Sequence, residues 1–112
     1  MEVLIHHIYE YKKGLRHLVL HTLDASLLHK AELKLQQQGI DYIVRYVTCS
    51  KINLFFGNKD CIRIVDKIGD KTLNEYTPEE DFVLGTMLGY DRLQQCKRYL
   101  KRKETFNSFS HR

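Results

Sequence analysis

The stretch that decides the fold is residues 40–56, IDYIVRYVTCSKINLFF. Ile40 to Val47 is rich in β-branched and aromatic residues, and Ile52 to Phe56 is a second apolar run. Both read as strands. Thr48-Cys49-Ser50-Lys51 makes the turn between them. Strands joined by so short a link pair antiparallel, and Gly57 stops the second one.

Upstream, residues 16–22, RHLVLHT, are apolar and bounded by Gly14 and Asp24, and read as a further strand. Asp24 is placed to cap a helix whose Leu28, Ala31 and Leu35 share one stripe, with Gly39 ending it. A helix between two strands predicts that they run parallel with a right-handed crossover. Residues 3–13 read two ways. Leu4, Ile8 and Tyr11 have helical spacing, with Lys12-Lys13-Gly14 as a helix end. Val3, Ile5, Tyr9 and Tyr11 alternate as a strand would. The helix is the preferred reading.

Downstream, Asn58 caps a helix that carries Ile62, Val65 and Ile68 to the core, and Thr72 with Glu75 frames a single short turn. In Thr77-Pro78-Glu79-Glu80-Asp81, threonine is the N-cap, proline takes the first helical position, and Glu80 closes a capping box. That helix runs through Phe82, Leu84, Met87 and Leu88 to Gly89. Asp91 with Gln94 can cap a last helix carrying Leu93, Cys96, Tyr99 and Leu100. The expected architecture is α+β, a two-layer sandwich of a three-stranded mixed sheet and about five helices, in the order α-β-α-β-β-α-α-α. One domain is expected over 1–103, with 104–112 as a mobile tail.

A chain of 112 residues with 43% apolar and 29% charged content is a single ordinary globular domain. Three cysteines without C-x-x-C spacing argue against a disulfide framework or a cysteine-rich zinc site. No secretory signal and no apolar run long enough for a membrane span are visible, so a cytoplasmic location is expected. The net charge of +4 is unevenly placed: residues 92–112 carry seven Lys or Arg against one Glu, +6, leaving −2 for the rest. Nucleic-acid binding through the basic C-terminal helix is therefore a minor alternative.

The residues with chemistry to offer fall into two groups. In a helical first segment, His6 and His7 lie within reach of Glu10, an arrangement suited to acid–base work or to part of a metal site. Tyr90 and Asp91 are candidates to meet them from a second block. The other group is an interface. His17, Val19 and His21 share one side of their strand. With Phe55 they are expected on an open, semi-apolar sheet face that a helix or a second subunit would cover. Gly85 and Gly89, four apart, would let another helix approach closely, either within one subunit, with Gly89 as the helix terminator, or as a candidate contact with a second subunit. Cys96 reads as a small core residue. Phosphate loops, H-E-x-x-H and G-x-S-x-G are absent, which lowers the expectation of an enzyme.

The blocks HHIYEYKKG, LVLHT, NLFFG, TPEEDFVLG and LGYDRLQQCKRY together resemble a bacterial family of small proteins of unknown function, from about Ile5 to Tyr99. The resemblance implies three strands with five helices, a helical first segment, a break at Gly89-Tyr90-Asp91 and a homodimer. It implies no activity, cofactor or catalytic residue, and it suggests a flavodoxin-type redox protein as partner. The leading expectation is thus a homodimeric protein-interaction module without a cofactor. An enzyme or metal protein built on His6, His7 and Glu10 is the second reading.

Overall fold

A computed structural model describes residues 1–110, with side chains through Thr105. Its elements are α1 (Glu2–Lys12), β1 (Leu18–Asp24), α2 (Leu28–Gln37), β2 (Asp41–Tyr46), β3 (Lys51–Gly57), α3 (Lys59–Ile68), α4 (Pro78–Met87) and α5 (Arg92–Ser110). Short 3₁₀ turns at Ala25–Leu27 and Leu73–Glu75 precede α2 and α4. The α+β class, the five helices and the element order agree with the sequence reading. So does the helical first segment.

The sheet differs from expectation in its pairing. Its order is β1-β3-β2, and both outer strands run antiparallel to β3. β1 and β2 do point the same way, but β3 lies between them, so the sheet is antiparallel rather than mixed. Composition explains the placement. Ile52 to Gly57 is an unbroken buried run, as suits a central strand packed on both faces, whereas β2 is only half-buried. Gly57 sits where β3 meets the start of β1: at φ 148° a Cβ there would come within 2.3 Å of the His17 carbonyl oxygen.

Register corrects the expected open face. Val19 pairs with Phe56 and Leu20 with Phe55, so Val19 and Phe55 lie on opposite faces. Both faces are covered, so the two-layer arrangement gives way to helices on either side of the sheet. On one side, Leu4 and Ile8 of α1 and Ala31 and Leu35 of α2 pack on Val19, Leu23, Ile52, Leu54 and Phe56. On the other, Ile62 and Val65 of α3 and Leu84 and Leu88 of α4 pack with Tyr76 on Leu18 and Phe55. Two apolar sheet faces cannot both be served by one helical layer, and burying each large aliphatic or aromatic side chain contributes about 1.5–3 kcal/mol.

The helix ends follow the caps expected of them. Asn58 Oδ1 accepts from Asp60 N at 2.8 Å, and Asp91 Oδ2 from Gln94 N at 2.9 Å. Thr77 and Glu80 form the reciprocal capping box, with bonds of 2.9 and 3.1 Å. Asp24 accepts from Ser26 N and so caps the 3₁₀ turn that leads into α2. The boundary expected at Lys103 is not marked by the backbone, because α5 continues to Ser110. Of the tail expected over 104–112, residues 111–112 lie outside the described residues. No helix among the described residues is long and apolar enough to cross a membrane.

Candidate functional site

The first candidate cluster is built on α1. Leu4 and Ile8 must face the sheet, which fixes the helix phase and leaves His7 and Glu10 half-buried beside β1 with His6 turned outward. His6 Nε2 and His7 Nδ1 lie 3.7 and 3.5 Å from Glu10 Oε1, contacts of charge rather than hydrogen bonds. Arg16, from the loop after α1, completes the group. Its Nη1 is 2.9 Å from His7 Nδ1 and 3.8 Å from Glu10 Oε1. A guanidinium only donates, so Nδ1 accepts and the His7 proton sits on Nε2. The ring of His21 meets that of His7 edge-to-face, with centroids 5.3 Å apart. Burial, then His7, then the N-terminal ammonium push the His21 pKa down.

The structure therefore assembles His7, Glu10, Arg16 and His21, with His6 at the rim. Arg16 and His21 are the members that sequence reasoning did not join to this group. Helical spacing brings Glu10 to the histidines, but Arg16 and His21 arrive only through packing of α1 on β1. Tyr90 and Asp91 do not reach it. They lie beyond α4, whose Leu84 and Leu88 pack on the opposite face of the sheet. Asp91 serves as the α5 cap, and Tyr90 is exposed beside a small cleft that includes Leu20 and Arg98. Among the described residues, no three His, Cys, Asp or Glu side chains come together in a way that could hold a metal ion. The chemistry of the cluster is limited further by Arg16. A general base needs a free lone pair, and the one on His7 is already bonded.

The expected interface set also has other work. Val19 and Phe55 are in the two cores. His17 is exposed just before β1, and its carbonyl accepts from Asn58 N at 2.8 Å. His21 belongs to the α1 cluster. Gly85 faces α5 within the same subunit: a Cβ there would fall 2.0 Å from Gln95 Oε1. Gly89 follows the end of α4 at φ 82° as its left-handed terminator.

The exposed apolar surface lies instead on the outer side of the α4–α5 hairpin. The sequence places Leu93, Cys96, Tyr99 and Leu100 on one helix and reads Cys96 as a small core residue. The structure leaves Leu93 and Leu100 61% and 59% exposed, and Cys96 exposed. The polar side of α5 is what faces inward. Gln95 is buried against Gly85, and Arg98 Nε and Nη2 donate to Asp81 at 2.7 and 3.1 Å. Arg102 Nη1 lies 3.0 Å from Asp81 Oδ1, and its Nη2 donates to the Tyr76 carbonyl. Tyr99 and Lys103 both donate to Glu79 at 2.8 Å. Burial would raise the Asp81 carboxyl, but the Arg98 bond and charge, with those of Arg102, outweigh it and hold it below its usual value. An acidic first turn on α4 thus recruits the basic residues of α5. The outward stripe is left with Phe82 and Val83 of α4 beside Cys96, Tyr99 and Leu100, around a shallow apolar groove of about 490 Å³.

The fold and these surfaces define a small α+β domain, an antiparallel three-stranded sheet between helices, with a helical hairpin as its outermost element. The family model described as "Protein of unknown function (DUF2023)" matches residues 2–102, and the chain belongs to that family. A comparison with curated proteins finds no match.

Proposed function

We propose that the chain is a cytoplasmic homodimer that works as a protein-interaction module rather than as a catalyst. The observation that carries this reading is the outer face of the α4–α5 hairpin. Leu93 projects from α5 next to the groove lined by Phe82, Val83, Tyr99 and Leu100. A ridge beside a groove on one face is self-complementary. About a two-fold axis the ridge of each copy enters the groove of the other, and each buried leucine contributes about 1.5–3 kcal/mol. The three unpaired cysteines suit a reducing compartment. Catalysis at His7 has less support, because Arg16 occupies its lone pair. Nucleic-acid binding has less support too, because Arg98, Arg102 and Lys103 are committed to Asp81 and Glu79. A flavodoxin-type redox protein is the first partner to assay.

Light scattering of the purified full chain at micromolar concentration tests the dimer. The expected mass is twice 13.3 kDa, falling to one chain in Leu93→Glu with an unchanged circular dichroism spectrum. A wild-type chain that runs as a clean monomer overturns the reading.

A further inference from the structure

A second groove runs along the other side of α5. It has a volume of about 930 Å³ and lies between α5, from Gln94 to Thr105, and the segment 74–78 that leads into α4. Eleven residues of helical rise give it a length of about 16 Å. Four cations line it, Lys97, Arg98, Lys101 and Arg102, against one carboxylate, Glu75. Glu75 is turned away to bond Thr72, and the two arginines share Asp81. Lys97 and Lys101 have no ion pair among the described residues. The groove therefore presents two available positive charges one helical turn apart, and no available negative one.

We propose that this groove binds an extended acidic peptide segment of a partner protein. Lys97 and Lys101 are separated by about 6 Å of helical rise. Alternate residues of an extended chain are about 6.7 Å apart, so carboxylates at i and i+2 fall opposite both ammonium groups. A groove of about 16 Å accommodates about five such residues. The two walls also carry primary amides, Gln94 on α5 and Asn74 opposite. A side-chain amide both donates and accepts, which matches a peptide backbone and exceeds what a bare anion requires. A single-stranded nucleic acid fits less well, because it gains affinity by stacking bases on aromatic faces. The one aromatic in this lining, Tyr76, is 4% exposed and packed into the core.

The inference rests on the proposal that the chain binds another protein, but it uses a different surface from the dimer face. The test is fluorescence polarisation of the full chain with the labelled pentapeptide Glu-Ala-Glu-Ala-Glu, with its all-Gln counterpart and an eight-nucleotide oligothymidylate as comparisons. Saturable binding of the acidic peptide alone is expected, weakening with salt and by about tenfold or more in Lys97→Glu/Lys101→Glu. Leu93→Asn, which removes the dimer's leucine without setting a carboxylate four residues from Lys97, should bind the peptide as wild type does, so loss of the dimer and loss of the groove read out separately. Both lysines are solvent-exposed, and a circular dichroism spectrum confirms that the double variant is folded. No binding up to millimolar peptide overturns the inference. Equal binding of the Gln peptide, oligothymidylate binding as tight as the acidic peptide's, or indifference to the double substitution does the same.

Discussion

Gly85→Ala is the most informative single change in this protein, because two effects of similar size oppose each other there. In an exposed helix the substitution would stabilise by about 1 kcal/mol, since alanine is the better helix former. Here the new methyl would lie 2.0 Å from Gln95 Oε1 and 2.5 Å from Gln95 Cδ, inside any tolerable contact. Gln95 is 8% exposed, so either its amide end turns out of this buried place and gives up its packing there, or α5 shifts from α4. Overpacking of this kind costs about 1–3 kcal/mol. The net expectation is destabilisation by about 1 kcal/mol, or roughly 4 °C in the melting temperature of a domain this size. Urea unfolding followed by far-ultraviolet circular dichroism measures it. The control is Gly85→Ala/Gln95→Ala, in which the methyl occupies space that the amide leaves. That double variant should be more stable than the two single effects added together by about 1–2 kcal/mol. The opposite result, Gly85→Ala stabilised by the full helix-propensity gain with no coupling to Gln95, would refute the close packing of α4 on α5.

Two further expectations concern titration. Asp81→Asn removes the shared anion of Arg98 and Arg102 and should cost about 2 kcal/mol by urea unfolding. The Asp81 pKa is lowered from 3.8 on folding, so its contribution is present above that pH and is lost as pH falls through the folded value. The variant should therefore show a flatter acid limb below pH 3.8 than wild type, and an unchanged limb would assign the acid sensitivity elsewhere. His21 has the opposite chemistry, being lowered from 6.5 as a base. Between its folded pKa and 6.5 the unfolded chain binds more protons, so stability is full above 6.5 and declines as pH drops through that window. His21→Asn should remove this slope, and a variant that keeps it would show that another group titrates.

The local chemistry of this chain is legible one residue at a time. Thr77-Pro78-Glu79-Glu80 writes a helix start because a hydroxyl, a missing N–H and a carboxylate each satisfy a terminus within four residues. Asn58, Asp91 and the turn at 48–51 are equally self-sufficient. The candidate site was half legible for the same reason. Glu10 reaches His6 and His7 through helix geometry alone, while Arg16 and His21 join them only because Leu4 and Ile8 seat α1 against β1.

In the α4–α5 hairpin, local pattern and long-range charge disagree. Cys96, one turn from Leu93 and Leu100, reads as a core residue by composition. The opposite face of α5, however, carries Gln95, Arg98 and Arg102, which fit Gly85 and Asp81 of α4. Bonding a half-buried carboxylate to two guanidiniums fixed which side of the helix turned inward, and the leucines were left outside. The sequence by itself determined the elements, their caps and the β2–β3 turn, since each is settled by contacts a few residues apart. Tertiary structure decided the insertion of β3 between β1 and β2, the pairing of Val19 with Phe56, and the inward face of α5. Those choices depend on groups far apart in the chain, whose register and charge pairing exist only once the sheet and the hairpin have formed.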